Sequence, residues 1–165
     1  MDYKFYVVMG VSGSGKTTVG RLLASHLSCP FYDADDFHPA ENVAKMAAGI
    51  PLTDADRAPW LDGLHDIISR HLQAGETAVL ACSALKKSYR DHLRQGYEDV
   101  CFIHLDGRFD LIQQRMQRRQ AHYMKPEMLQ SQFAALESPD DHEALIISID
   151  KPVKRIVQEI VTKIK

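Results

Sequence analysis

Two periods of apolar residues alternate along the chain. Short apolar runs at 5–9 (Phe5-Tyr6-Val7-Val8-Met9), 31–33, 77–82, 100–105 and 145–149 read as strands buried on both faces. Helical stripes fill the intervals at 17–28, 39–48, 56–74, 86–95, 108–119, 126–136 and 152–164. The clearest stripe sets Trp60, Leu61, Leu64, Ile67, Ile68 and Leu72 on one face; this is core packing, with another role left open for Trp60 alone. Strands alternating with helices predict one α/β domain over residues 1–165, a parallel sheet covered by helices on both faces. In such sheets ligands bind beyond the carboxyl ends of the strands, so the chemistry belongs in the segments that follow each strand.

The first of these segments is the most informative. Gly10-Val11-Ser12-Gly13-Ser14-Gly15-Lys16-Thr17 follows a predicted strand and opens a predicted helix, the context that the G-x-x-x-x-G-K-[ST] phosphate loop requires. Its amides, continuing to Thr18, would cradle phosphate oxygens, Lys16 would reach the β- and γ-phosphates, and the Thr17 hydroxyl would meet Mg²⁺. ATP and Mg²⁺ are therefore the expected ligands.

After the second strand, Asp33-Ala34-Asp35-Asp36-Phe37-His38-Pro39 packs three carboxylates into four positions, which repel one another without a positive partner. Beside a phosphate loop, a carboxylate can support Mg²⁺ (Asp33) or orient or deprotonate an attacking hydroxyl (Asp35). Asp36 reads equally as a helix cap, and His38 as a substrate ligand or a local cap. Further on, Thr53 or Asp54 can cap the next helix, while Arg57 suits either a substrate carboxylate or an internal ion pair. Lys86, Arg90 and Arg94 share a helix face after the third strand, a place for an anionic substrate, with Arg94 the most readily explained as solvated. Arg115, Arg118, Arg119, His122 and Lys125 form a local basic excess that fits a lid over the triphosphate at about 115–126. The third strand ends in Cys82-Ser83 where a Walker B strand would end in Asp, leaving Asp106 after the fourth strand as a weaker metal candidate.

Composition narrows the class. The 165 residues are 45% hydrophobic and 25% charged with net charge −2, which leaves no overall basic footprint for nucleic acid. No apolar stretch approaches membrane-spanning length and no signal-peptide pattern opens the chain. Cys29, Cys82 and Cys101 are widely spaced and odd in number, as expected of reduced thiols in a cytoplasmic protein. GTPase motifs N-K-x-D and D-x-x-G are missing. Small size, an acidic strand end and an arginine-rich segment suit a small-molecule kinase; a nucleotide-binding regulatory module without turnover is the reading from another class.

At this point the chain resembles the gluconate kinases (gluconokinases). The resemblance rests on the phosphate loop, on the acidic segment ending His38-Pro39, on Pro51-Leu52-Thr53-Asp54-Ala55-Asp56-Arg57-Ala58-Pro59-Trp60-Leu61, and on Cys82-Ser83-Ala84-Leu85-Lys86-Lys87-Ser88-Tyr89-Arg90. It continues through His122-Tyr123-Met124 and Gln132-Phe133-Ala134-Ala135-Leu136-Glu137-Ser138-Pro139. Ala34 and Tyr123 depart from the usual Gly and Phe, and neither carries a proposed role. The resemblance implies a three-layer P-loop kinase fold, nucleoside-monophosphate-kinase-like, with a five-stranded parallel sheet and a lid. It also implies transfer of phosphate from ATP to the 6-hydroxyl of D-gluconate, a homodimer, and a cytoplasmic setting. Arg57, Lys86, Arg90 and His38 are then the candidates for the sugar acid, Arg115 and Arg119 for closing over ATP, and Pro152 for the adenine side. A kinase of shikimate or another aldonate is the alternative from the same class.

Overall fold

The structure of the chain, a computed structural model, describes residues 3–118 and 126–165. Arg119, His122, Tyr123, Met124 and Lys125, with most of the expected lid, lie outside the described residues. Five strands, β1 (Phe5–Met9), β2 (Phe31–Asp33), β3 (Ala78–Ala81), β4 (Val100–Asp106) and β5 (Ala144–Ser148), form one parallel sheet in the order β2-β3-β1-β4-β5. Phe5 aligns with Ala78 on one side and Val100 on the other, so β1 lies at the centre with its carboxyl end between two neighbours. Chain connections leave β1 toward β2 on one side and return to β4 on the other, which opens a crevice above the sheet at that reversal.

The strand residues alternate between two cores. Phe5, Val7 and Met9 face one layer with Leu64, Ile68, Leu80, Leu93 and Phe102; Tyr6 and Val8 face the other with Leu23, Ile103, Ile112, Ile156 and Ile160. The first layer is covered by α3 (Asp54–Gln73) and α4 (Lys87–Arg94), the second by α1 (Lys16–Leu27), α5 (Phe109–Arg118), α6 (Pro126–Ala135) and α7 (Val153–Ile164). The expected three-layer fold is present, with boundaries within a residue or two of those the apolar pattern predicts.

Two local features go beyond the pattern. The acidic segment forms a one-turn 3-10 helix, Ala34–Phe37, because the Asp33 carboxylate accepts the Asp35 N–H at 3.0 Å and caps it. Asp36 therefore caps nothing: α2 (Ala40–Ala47) starts after Pro39, without a side-chain cap. At the start of α3, Thr53 Oγ1 accepts Asp56 N–H at 3.1 Å and Asp56 Oδ2 accepts Thr53 N–H at 2.9 Å, a complete capping box. Lys45 from α2 donates to both oxygens of Asp56 at 2.8 and 2.9 Å.

Hydrogen bonding to Lys45 first, and then to the Thr53 amide, pulls the Asp56 carboxyl down to about 2. A depressed folded value means stability that is present above the ordinary 3.8 and lost as pH falls through about 2. Thr53→Ala is expected to cost about 1 kcal/mol, read as a fall of a few degrees in Tm; an unchanged melt would show that the box contributes nothing.

Candidate active site

The phosphate loop folds as its glycines require. Gly15 sits at φ 97° as the residue before α1, and a side chain at Gly13 (φ 82°) would strike Met116 of α5 at 2.6 Å. Lys16 Nζ donates back to the loop carbonyl of Val11 at 3.0 Å. Burial, the main influence, lowers the Lys16 pKa, while the negative charges of Asp35 and Asp33 oppose that shift.

A cleft of about 670 Å³ opens above the loop at the carboxyl ends of β1, β2 and β3. Ser12, Gly13, Gly15, Lys16, Thr17 and Thr18 form its floor, Asp33, Asp35, Cys82 and Ser83 one wall, and Met116 and Met128 another. Gly10, Val11 and Ser14 do not line it. Gly10 N–H bonds to Ser83 O, Val11 is buried in the core, and Ser14 turns its hydroxyl inward, where it has no partner among the described residues.

Thr17 Oγ1 donates to Asp33 Oδ2 at 3.2 Å, which brings together the two groups expected at Mg²⁺. Two oxygen donors suit a cation that takes its remaining ligands from phosphate and water, and the described residues hold no cluster of three or more His, Cys, Asp or Glu that could cage a metal. With the Lys16 ammonium beside it, this donor set fits a metal-bound triphosphate. Asp106, at the exposed end of β4, does not line the cleft.

Asp35 is open to the cleft yet flanked closely enough by protein to be partly withdrawn from bulk water. That desolvation, followed by the like charge of Asp33, raises its pKa above the usual carboxylate range, and Lys16 and His38 only partly offset it. Cys82, buried behind it, is pushed up to about 12 and stays a neutral thiol.

The acidic turn is pinned to α3 by Trp60, whose indole N–H donates to Ala34 O at 2.8 Å, so this buried Trp positions the site as well as packing. His38 stacks on the Trp60 ring at 4.2 Å. Burial lowers its pKa, Asp35 raises it and Arg57 lowers it, which places all three side chains in one electrostatic neighbourhood. The buried Asn42 amide reaches both Asp56 O (2.9 Å) and His38 Nδ1 (3.3 Å); as a donor to both, it makes Nδ1 an acceptor and leaves the imidazole proton on Nε2.

Beyond His38, Arg57 and Lys86 each sit 5.5 Å from the centre of the Tyr89 ring. Arg57 also donates to Leu52 O and Tyr89 Oη, and Tyr89 in turn donates to Asp54 at 2.6 Å, with Lys86 3.5 Å from the same carboxylate. Arg57 and Lys86 are half-exposed, and neither they nor His38 lines the phosphate cleft.

Arg90, by contrast, is 2% exposed, pairs with Glu143, and donates to Ala84 O, Leu85 O and Glu137 O. The expectation that it meets the sugar acid is corrected: its donors are committed to the fold. Arg94 is half-buried; it bonds Val100 O and Glu143 O and lies over Phe102.

Of the residues expected at the nucleotide, Arg115 Nη2 donates to Ile149 O at 2.7 Å, strapping α5 to the turn after β5, and Pro152 is exposed just before α7; neither lines the phosphate cleft. The sequence reading missed Gln132 of α6, which bonds the phosphate loop at Ser12. The sole hint was its place in the Gln132–Pro139 segment.

A family model for shikimate kinase matches residues 12–165. A probable gluconokinase from Rattus norvegicus is 48% identical to this chain, with 96% of each covered. The thermoresistant gluconokinase of Escherichia coli (strain K12) is 43% identical over 99% of this chain and 95% of its own. The crystal structure of a gluconokinase from Sinorhizobium meliloti 1021 superposes with a TM-score of 0.87 at 40% identity, covering 99% of this chain and 92% of that one. Solved shikimate kinases stand at 16% and 18% identity and share the fold alone.

Proposed function

We infer the activity from one premise: the chain belongs to the shikimate kinase-like family and, within it, to the gluconokinases. It transfers the γ-phosphoryl group of ATP to the 6-hydroxyl of D-gluconate, giving 6-phospho-D-gluconate. The observation in the structure that supports this most directly is the meeting of Lys16, Thr17, Asp33 and Asp35 in one cleft.

In the mechanism we propose, the loop amides and Lys16 hold the phosphates, and Thr17 and Asp33 hold Mg²⁺, which when bound neutralises charge on the β- and γ-phosphates. Asp35 takes the proton of the 6-hydroxyl as that oxygen bonds to the γ-phosphorus and the bond to the ADP oxygen breaks. Its raised pKa, set by desolvation and then by Asp33, makes it a stronger base than an ordinary carboxylate. Arg57 and Lys86 receive the carboxylate of the sugar acid, and His38 offers Nε2–H to a hydroxyl. Arg115 and Arg119, in the lid around 115–126, close over ATP, with Pro152 on the adenine side. Mg²⁺ dependence, a homodimer and a cytoplasmic setting follow from the same resemblance. No helix among the described residues is long and apolar enough to cross a membrane, and the net charge of −2 argues against a nucleic-acid partner.

A screen of ATP consumption against sugar acids, shikimate and nucleoside monophosphates is expected to respond to gluconate first. A response to shikimate with silence on gluconate would favour the other activity that the family model's name suggests.

A further inference from the structure

Helix α6 reaches both halves of the site. Near its middle, the Gln132 side chain grips Ser12 of the phosphate loop with both ends of its amide: Oε1 accepts the Ser12 N–H at 2.6 Å, and Nε2 donates to Ser12 Oγ at 2.9 Å. The backbone N–H can only donate, so this pairing fixes which way the amide points. Just past the helix, Glu137 N–H donates to Leu85 O at 2.8 Å, and its Oε1 accepts the Lys87 N–H at 2.8 Å. That carboxylate supplies the N-terminal cap that Lys86, the residue before α4, does not provide, and its charge suits the helix end. Leu85 and Lys87 bracket Lys86, so α6 holds the phosphate loop at one point and the acceptor-side loop at another. These partners lie 120 and 50 positions apart, so local folding does not bring them together.

We propose that α6 is a strut between the two substrates and that Gln132 is its positioning residue. By fixing Ser12 relative to the loop that carries Lys86, Gln132 makes nucleotide and sugar-acid binding favour each other. A side chain that touched only one loop could tune one affinity; an element bonded to both loops biases both sites at once. Gln132 acts through Ser12 and not on the reacting atoms. The proposal rests on the gluconokinase reading for the identity of the acceptor; the clamp itself does not.

Gln132→Met, close in size and without the amide, tests it. Binding of a non-hydrolysable ATP analogue is measured by calorimetry with and without saturating gluconate, together with kcat, both KM values, and amide exchange at Ser12 in the free protein. The parent is expected to bind the analogue at least fivefold more tightly with gluconate present, within the usual range of coupling. In the variant that ratio falls to within twofold of one, kcat drops at least tenfold, and Ser12 exchange accelerates at least tenfold, while affinity for the analogue alone changes less than threefold. Ser12→Ala, which removes only the hydroxyl joint, is expected to lose part of the coupling; Glu137→Gln, which keeps its accepting oxygen, should retain it, and both remain informative if Gln132→Met does not fold. Full coupling in Gln132→Met despite faster exchange at Ser12, or no coupling in the parent, overturns the proposal. Failure of the parent to phosphorylate gluconate would instead overturn the functional reading, and Ser12 exchange would still report on the clamp.

Discussion

Asp35→Asn is expected to lower kcat at least a hundredfold, about 2.7 kcal/mol of transition-state stabilisation, while ATP binds as well as before or better. The substitution is nearly isosteric, so it leaves the cleft's shape alone and removes the proton acceptor. Nucleotide affinity should not fall, because the lost charge lay beside Asp33 in the cleft that receives a polyanion. The same substitution should not destabilise the protein. Desolvation, then Asp33, raises the folded-state pKa of Asp35 above its ordinary value, so folding favours the protonated carboxyl. The stability from that shift is complete below the unfolded value and is lost as pH rises through the folded one. Above that folded value the charged Asp35 is therefore a cost, and Asn relieves it: Tm should be equal or higher in the variant there, with the gap closing in acid. The parent's rate should show an acid limb above the usual carboxylate pKa, and the variant's residual rate should lack it. Turnover within tenfold of the parent would remove Asp35 from the role of base. This combination, activity lost with stability kept, separates a catalytic carboxylate from a structural one and also from a regulatory module without turnover.

The phosphate loop, both ends of β1 and the helices that cover the sheet were legible because each is specified by residues adjacent in sequence. An apolar run, a glycine pattern and a 3–4 stripe are local signals, and their alternation implies a parallel sheet. The meeting of Thr17 with Asp33 was legible for a related reason: one closes the phosphate-loop motif and the other ends the second strand, and both lie at the carboxyl ends of strands. What could not be read were contacts whose two partners are remote. Arg90 shares the spacing of Lys86, and four-residue spacing alone cannot say that one stays half-exposed beside Asp54 while the other turns in to meet Glu143, 53 positions away. Gln132 is an ordinary polar residue on a helix of weak amphipathic character until Ser12 is seen beside it. The 3-10 turn escaped because its cap, Asp33, had an evident role as a metal ligand; the structure shows its two oxygens divided, Oδ1 to the turn and Oδ2 to Thr17. The same division explains how an acidic cluster can be both rigid and reactive: one oxygen of Asp33 fixes the backbone that presents Asp35.

Arg90→Met is expected to cost about 3–5 kcal/mol of stability, the penalty for leaving one member of a buried ion pair without the other. Glu143 keeps only 18% of its side chain exposed and would carry an uncompensated charge. The loss extends beyond charge, because the same guanidinium donates to Ala84 O at 2.8 Å, Leu85 O at 3.2 Å and Glu137 O at 2.8 Å. Ala84 has φ 46°, a left-handed conformation that costs a residue with a side chain of order 1 kcal/mol or more and persists only where its surroundings impose it. Arg90 is one of the groups imposing it, and Ala84 lies directly after Ser83 at the cleft and two residues before Lys86. Thermal melts should therefore show a Tm lower by roughly 10 °C, and the folded fraction should bind gluconate more weakly. Lys at this position keeps the charge without the fork that serves carbonyls on two sides, so Arg90→Lys should recover only a minor part of the loss. The double variant Arg90→Met, Glu143→Leu separates the two causes. It removes the stranded carboxylate and should regain part of the stability, yet the three carbonyls still lack their donor and Ala84 its restraint, so gluconate affinity should stay low. Complete recovery of both stability and affinity in the double variant would mean that Arg90 serves only as a counter-ion; recovery of stability alone is the result expected if it also holds the acceptor-side loop in its strained shape.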